Sequence, residues 1–151
     1  MIDLKITPAA TQDRAAVEAL VEAAYHHYVA RIGRPPGPML DDYAAHIAAN
    51  ALWLAHDEKG LAGLVVLLEG DGHLLLDNVA VHPTRQGEGI GKRLMAFAEF
   101  VAIDRDLPEI RLYTHVAMTE NQAIYQRLGY SETHRIREKG LDRVYMAKRL
   151  N

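Results

Sequence analysis

The chain has 151 residues, of which 49% are hydrophobic, and a formal net charge of -3. This length supports one well-buried core and is short for two, so we expect a single domain over residues 1–151. The acidic balance, without blocks of Lys or Arg, argues against binding to nucleic acid or to an anionic membrane. The absence of cysteine excludes disulfides, thiolate metal sites and a cysteine nucleophile.

The start of the chain predicts a strand, a helix and a loop. The alternation of Ile2, Leu4 and Ile6 with charged residues is typical of a half-buried strand. A helix that reaches Tyr28 is predicted by apolar residues at helical spacing: Ala16, Val17, Leu20, Val21, Ala24 and Tyr28. Residues 31–38 contain three prolines and two glycines, which end that helix and predict a loop.

The middle of the chain predicts a second helix and then three antiparallel strands. The second helix is expected over residues 40–50. Short segments with glycine, at 56–60 and 70–72, favour tight turns between the strands. The strands of this meander are predicted from three apolar runs, at 52–55, 61–68 and 74–81.

The second half predicts two more helices and three more strands. One helix face carries Ile90, Leu94, Phe97, Ala98, Val101 and Ala102. A strand at 110–114 follows this helical crossover and is expected to lie parallel to the strand that ends at Val81. A short helix at 119–128 ends at Gly129. Two final strands, at 130–136 and 143–150, form a hairpin. The order predicts a mixed α/β sheet of about seven strands with about four helices.

A glycine-rich stretch, residues 74–94, joins a strand to the start of a helix. Loops of this kind bind anions, because the backbone N–H groups of the first helical turn have no partner within the helix. The spacing does not fit a Walker A loop, since Gln86 stands at the first glycine position and Arg93 follows Lys92. It does not fit the dinucleotide fingerprint either, because Lys92 stands where the third glycine belongs.

The stretch does fit the pattern [QR]-x-x-G-x-[GA] at residues 86–91, and the run 79–83, VAVHP, precedes it. With these motifs the chain resembles the GCN5-related N-acetyltransferase (GNAT) superfamily. The resemblance implies that acetyl-CoA is the cofactor and that its pyrophosphate lies in the glycine loop, on Gln86, Gly87, Glu88, Gly89, Ile90, Gly91 and Lys92. It also implies that the pantetheine arm lies along the strand, on Val79, Ala80 and Val81.

The resemblance further implies an acid and a base. Tyr125 stands at the spacing of the family's catalytic tyrosine, which supports the departing thiolate. Asn121 lies one helical turn before Tyr125 and is a candidate contact for the cofactor, although the family's usual asparagine position holds Met118. The base is left open among Asp77, Glu69 and His115. Asp77 comes first, because it precedes the cofactor-binding stretch on the same strand.

The family implies that the acceptor binds near the first two helices, which gives the candidates Tyr25, Tyr28, Arg31 and Arg34. The two arginines could pair with an acceptor carboxylate. We expect direct transfer of the acetyl group to a primary amine, on a small molecule or on a protein N-terminus or lysine. The alternatives are a non-catalytic acyl-CoA-binding or regulatory module and, less favoured by spacing, a nucleotide-binding enzyme.

The remaining expectations concern location and assembly. The N-terminus shows no signal-peptide pattern, and the longest apolar run, 61–68, is far below the roughly 20 residues that cross a bilayer. None of the eight histidines forms a ligand pair of metal-binding spacing, so no metal is expected. We therefore expect a cytoplasmic protein. The final hairpin offers an edge for a homodimer.

Overall fold

The computed structural model describes residues 3–150. Within them, seven strands form one sheet in the spatial order β1-β2-β3-β4-β5-β7-β6. The strands are β1 (Lys5–Pro8), β2 (Leu52–Asp57), β3 (Gly60–Gly70), β4 (His73–Val81), β5 (Glu109–His115), β6 (Ser131–Glu138) and β7 (Leu141–Arg149). The helices are α1 (Arg14–Tyr25), α2 (Tyr28–Ile32), α3 (Tyr43–Ala48), α4 (Ile90–Asp104) and α5 (Thr119–Arg127).

The directions of the strands confirm the predicted mixed α/β fold. β4 and β5 run parallel after the crossover through α4, and the other neighbouring pairs are antiparallel. Helices cover both faces of the sheet. On one face, α4 packs Leu94 and Ala98 into a cluster with strand residues such as Ile110. On the other face, α1 and α3 pack Leu20 and Ile47 into a second cluster.

The first predicted helix is in fact two helices, so the described residues hold five helices rather than the expected four. α1 ends at Tyr25, and α2 begins at Tyr28. The backbone tightens at this point, because Val29 N donates to His26 O, only three residues back. Tyr28 still faces the interior, so the apolar spacing continues through the break and hides it from a sequence reading. Gly33 then ends α2 with a φ of 88°.

The second helix is shorter than the predicted 40–50. Residues 37–40 form a separate 3-10 turn, and α3 starts only after Asp42. The Asp42 carboxylate caps α3 by accepting a hydrogen bond of 3.1 Å from Ala45 N. The capping group therefore sets the start of this helix.

The other predicted elements are confirmed, with ends that shift by a few residues. The three-stranded meander, the crossover to β5, the short helix α5 and the final hairpin are all present. Gly60 and Gly129 adopt the positive φ that their positions require, 107° and 100°. Leu4 is buried just before β1, whereas Ile2 lies outside the described residues.

β4 contains one inserted residue that forms a β-bulge. Val66 pairs with Asn78 and Leu67 pairs with Leu76, so Asp77 is the extra residue of a bulge. The bulge exchanges the two faces of the strand. Leu76 packs in the α4 cluster, but Ala80, which lies an even number of residues further on, packs in the α1 and α3 cluster.

β4 and β5 separate at the bulge. Their pairing covers only residues 74–76 of β4 and 110–112 of β5. Beyond it, the last residues of both strands border a gap in the middle of the sheet. None of the helices within residues 3–150 is both long and apolar enough to cross a membrane.

Candidate functional site

A large cleft opens at the gap between β4 and β5, beside the N-terminus of α4. We call it the donor cleft; with the solvent at its mouth its empty volume is about 1780 Å³. The predicted cofactor-binding residues that line it are Val79, Ala80, Val81, Gln86, Gly87, Gly89, Ile90, Gly91, Lys92, Asn121 and Tyr125. The strand, the loop and the short helix thus bring together residues that are far apart in sequence.

The glycine loop presents bare backbone to the donor cleft. Gly87 and Gly89 have positive φ angles of 83° and 82°, and a Cβ at either would meet no atom within 4 Å. Gly89 is the residue before α4, and no side chain caps the helix there. The first N–H groups of α4 therefore have no protein partner from a cap, and the helix dipole favours an anion in front of them. These residues fit a diphosphate group.

Glu88 is the one predicted loop residue that does not line the donor cleft. Its carboxylate lies 3.1 Å from Arg85, whose guanidinium also pairs with Asp57 at the end of β2. Arg85 is buried, and its hydrogen bonds hold the pKa of Asp57 below the usual range. Arg85 thus fastens the loop to the sheet, a role that the sequence does not reveal because Asp57 is distant in the chain.

The end of β4 turns one set of backbone groups toward the gap. His82 N donates to Ala62 O over 2.8 Å, so alternate residues from His82 backward face β3. Val79 and Val81 therefore direct their backbone groups away from β3. The Val79 carbonyl oxygen lies 3.0 Å from the Tyr25 hydroxyl, which links α1 to this strand.

A second cavity, the acceptor pocket, lies between β4, β5, β7 and the loop before α3. Its empty volume, including solvent at its mouth, is about 510 Å³. Its charged residues are Asp77 and Arg143, and His115 also lines it. The acceptor pocket and the donor cleft share four lining residues: Tyr25, Val79, Asn121 and Tyr125. Molecules bound in the two cavities would meet at these residues.

Tyr125 stands at the junction with a free hydroxyl. Its ring contacts Tyr130 edge-on, with 6.1 Å between the ring centroids. Within residues 3–150 the structure records no hydrogen bond of the Tyr125 hydroxyl, and burial, followed by the nearby Tyr28, raises its pKa to about 12. The hydroxyl therefore keeps its proton at neutral pH and can donate it in a hydrogen bond.

Asp77 lies on the acceptor side of the junction. Its Oδ1 accepts a hydrogen bond of 2.8 Å from the Tyr113 hydroxyl, and its Oδ2 lies 3.9 Å from His46 Nε2. Burial raises the pKa of Asp77, and Asp41 adds to this, while Tyr113 and His46 act in the opposite direction. The net pKa is raised, which makes the carboxylate a better base than an exposed aspartate.

His46 lies near both Asp77 and Asp41. Its Nε2 lies 2.8 Å from Asp41 Oδ2. Ligand atoms of Asp41, His46 and Asp77 all lie within 4.8 Å of one another, although no sequence spacing groups them. The contact of His46 with Asp41 and the hydrogen bond from Tyr113 already partner these groups, and the absence of a metal stays a prediction.

The other two candidates for the base lie in different surroundings. His115 lines the acceptor pocket, where burial lowers its pKa, and its Nδ1 accepts a hydrogen bond of 3.0 Å from Ala117 N. Glu69 lies 3.4 Å from Arg105 and lines neither cavity. The geometry therefore favours Asp77.

The residues predicted for acceptor binding are divided by the fold. Tyr25 lines both cavities, and Tyr28 lines the donor cleft. Arg31 Nη1 lies 2.6 Å from Glu120 Oε1, and Arg34 Nη1 donates to Gly140 O over 3.3 Å. Neither arginine lines a cavity.

Sequence reasoning missed three polar residues that shape the acceptor pocket. These are Asn78, Tyr113 and Arg143, each on a strand at a position whose neighbours across the sheet are unknown from sequence. Asn78 Nδ2 donates to the Tyr43 hydroxyl, and Asn78 Oδ1 lies 2.5 Å from the Tyr25 hydroxyl. The amide therefore ties α1 and α3 to the strand that carries Asp77.

A cleft that suits an anion and meets a second pocket at a tyrosine is an arrangement typical of enzymes that transfer a group between two bound molecules. Comparison with known proteins gives the class. The model of the acetyltransferase (GNAT) domain matches residues 48–132, more than half of the chain. The chain therefore belongs to the GNAT acetyltransferase family, whose members take the acetyl group from acetyl-CoA, and the assignment made from the sequence is confirmed.

Solved structures show the same fold at low sequence identity. A PaiA N-acetyltransferase of Thermoplasma acidophilum, solved with coenzyme A, has 17% identity and a TM-score of 0.82 over 99% of this chain and 100% of its own. A GNAT acetyltransferase of Staphylococcus aureus has 15% identity and a TM-score of 0.81, over 98% and 99%. The ribosomal-protein-S18-alanine N-acetyltransferase of Escherichia coli has 18% identity and a TM-score of 0.75, over 97% and 93%. No curated protein matches the sequence.

Proposed function

We propose that this protein is an acetyl-CoA-dependent N-acetyltransferase that brings donor and amine together in one ternary complex. The observation that carries the proposal is the meeting of the donor cleft and the acceptor pocket at Tyr25, Val79, Asn121 and Tyr125. Direct transfer suits this arrangement, because the chain has no cysteine to carry the acetyl group.

The donor cleft holds the cofactor by its backbone. The N–H groups of the glycine loop and of the first turn of α4 bind the pyrophosphate, with Lys92 adding charge. The outward-facing backbone of Val79 and Val81 binds the pantetheine arm as an added strand would. When bound, acetyl-CoA supplies an acetyl group activated as a thioester.

Asp77 acts as the base for the acceptor. A free alkyl ammonium has a pKa of about 10.4 and must lose a proton before it can attack. Asp77 accepts this proton, directly or through a water, and its raised pKa reduces the mismatch with the amine. As the N–C bond forms and the C–S bond breaks, the nitrogen loses a second proton, which protonation of the sulfur balances.

Tyr125 supports the leaving sulfur as a hydrogen-bond donor. Its pKa of about 12 exceeds the value of about 8.5 for a thiol. Burial thus favours retention of the proton on the Tyr125 oxygen. The hydroxyl instead stabilises the charge that develops on the sulfur, and the final proton comes from the acceptor through solvent.

Release of free CoA across a panel of primary amines tests this function, with calorimetry to measure binding of acetyl-CoA. We expect binding in the absence of an acceptor and CoA release above the rate of hydrolysis with at least one class of amine. Binding without any such release would establish a non-catalytic acyl-CoA module instead. The single domain over residues 1–151, a cytoplasmic location and a homodimer stay predictions from the sequence.

A further inference from the structure

We propose that the acceptor is a small amino acid, whose carboxylate binds Arg143 while its amine faces Asp77. The inference rests on the proposed function and specifies its acceptor. Both charged residues line the acceptor pocket, and both contact the same side chain, Tyr113.

Arg143 is a buried cation held in a fixed position. Its side chain is only 9% exposed. Nη1 donates to Glu138 Oε2 over 2.5 Å, and Cζ lies 4.5 Å from the centroid of the Tyr113 ring. Glu138 also accepts a hydrogen bond of 2.7 Å from the Tyr145 hydroxyl, so its charge is shared between two donors. The guanidinium is thus fixed by one ion pair and one ring face.

Most of the donors of Arg143 are unused. A guanidinium has five N–H donors, and within the described chain only the bond from Nη1 to Glu138 is recorded. A Cβ at Gly37 would lie 2.8 Å from Nη2, so the absence of a side chain there leaves room for this edge of the group. The other donors are free to bind a ligand that enters the pocket, and a planar guanidinium matches a carboxylate with two parallel hydrogen bonds.

The pocket therefore presents opposite charges around one tyrosine. The Tyr113 hydroxyl contacts Asp77, and the face of its ring contacts Arg143. The complementary ligand carries an ammonium group near Asp77 and a carboxylate near Arg143. A polyamine would place a second cation against Arg143, and the end of a protein lysine has no carboxylate to offer. A free amino acid carries both groups within a few bonds.

Matched pairs of acceptors test the proposal on the wild-type protein. Glycine, β-alanine and 4-aminobutyrate are each compared with their amides, with CoA release as the readout. We expect kcat/KM at least tenfold higher for the acid than for the amide in the preferred pair, because the amide leaves Arg143 unpaired. The number of carbon atoms between the amine and the carboxylate of the preferred amino acid indicates how far apart Asp77 and Arg143 bind these two groups.

Variants then connect the preference to Arg143. We expect Arg143→Gln to abolish the difference between acid and amide, mainly through KM of the acid. Gly37→Ala, which crowds Nη2, should reduce the difference without removing the charge. The matched control is Arg137→Gln on β6, whose exposed guanidinium pairs with Asp142 outside the pocket and should leave the preference intact.

The outcomes separate this inference from the function beneath it. Equal use of acids and amides by the wild-type protein overturns the inference and leaves the acetyltransferase intact. Preference for peptides or polyamines over every amino acid does the same. If no amine releases CoA, the proposed function itself fails, and the inference fails with it. The comparison of acids with amides on the wild-type protein tests the inference even if Arg143→Gln does not fold.

Discussion

Tyr113 on β5 donates a hydrogen bond of 2.8 Å to Asp77 on β4, across the point at which the two parallel strands separate. The bond favours the charged form of Asp77, whereas burial favours the neutral form and has the larger effect. The hydrogen bond from Tyr113 therefore limits the rise in the pKa of Asp77 that burial causes. This balance gives the proposed base a measurable signature.

The first prediction concerns the pH profile of kcat/KM. Tyr113→Phe keeps the ring under Arg143 but removes the hydroxyl that lowers the pKa of Asp77. We expect the acid limb of the profile to move to higher pH. Asp41→Asn removes a carboxylate that raises this pKa, so the limb should move to lower pH. If both variants move the limb in the same direction, the limb belongs to a group other than Asp77.

Asp77→Asn should separate activity from stability. Loss of the base should lower kcat by about 10²-fold or more. The pKa of Asp77 is higher in the folded than in the unfolded chain. Asp77 therefore contributes most to the free energy of unfolding at a pH below its pKa in the unfolded chain, and this contribution falls as the pH rises. At pH 7 the variant should therefore melt above the wild type, and the difference should disappear on acidification toward pH about 4. A lower melting temperature at pH 7 would contradict this account.

Tyr125→Phe tests the donor to the leaving sulfur. The ring contact with Tyr130 is retained, and within residues 3–150 the hydroxyl has no recorded protein partner, so the melting temperature should hardly change. We expect kcat to fall by about 10²-fold, with little change in affinity for acetyl-CoA by calorimetry. Tyr130→Phe is the control, since its buried hydroxyl has no partner in the described residues and lines neither cavity. An unchanged kcat in Tyr125→Phe would exclude the role.

The glycine loop allows a matched comparison of two glycines. Gly89→Ala places a side chain on a residue with a φ of 82°, which costs about 1–2 kcal/mol of stability. Gly89 lines the donor cleft, so the added side chain should also lower the affinity for acetyl-CoA. Gly33→Ala has the same strain at a φ of 88° but lies outside both cavities, so it should lower stability alone. Equal affinities in the two variants would contradict the assignment of the loop.

Asp57→Asn should weaken the attachment of the glycine loop to the sheet, although Asp57 does not line the donor cleft. The change removes the carboxylate that holds Arg85, and the guanidinium then fastens the loop only through Glu88. We expect a lower melting temperature and weaker binding of acetyl-CoA in calorimetry. The control Glu18→Gln removes the exposed ion pair with Arg14 on α1 and should change neither quantity appreciably. Unaltered binding in Asp57→Asn would show that Arg85 does not order the loop.

The donor side could be predicted from sequence because its information is local. The glycine loop, the strand before it and the helix after it are contiguous, and the proposed binding groups belong to their backbone. Tyr125 was found in the same way, through its spacing to Gly129. The break at His26 and His27 was missed because Tyr28 continues the apolar spacing after the turn.

The acceptor side could be predicted only in part, because Tyr25 and Asp77 were candidates from the sequence but the other polar residues meet them only through the sheet. Arg143 comes from the last strand and faces Tyr113 of β5, while His46 of α3 approaches Asp77 of β4. The sequence pointed instead to Arg31 and Arg34, which are adjacent to the first helices but turn to Glu120 and Gly140. Which arginine enters the pocket depends on strand register, and local patterns do not encode register between distant strands.

The bulge at Asp77 makes the length of β4 as important as its composition. Deletion of this one residue would restore regular alternation and turn Val79, Val81 and the residues between them to the opposite faces of the sheet. The backbone groups that now border the gap would then point at β3. If a sequence alignment places a gap between Leu76 and Asn78, the residues after the gap face opposite sides of the sheet in the two aligned proteins. Designed chimaeras of this domain should therefore keep the number of residues constant there.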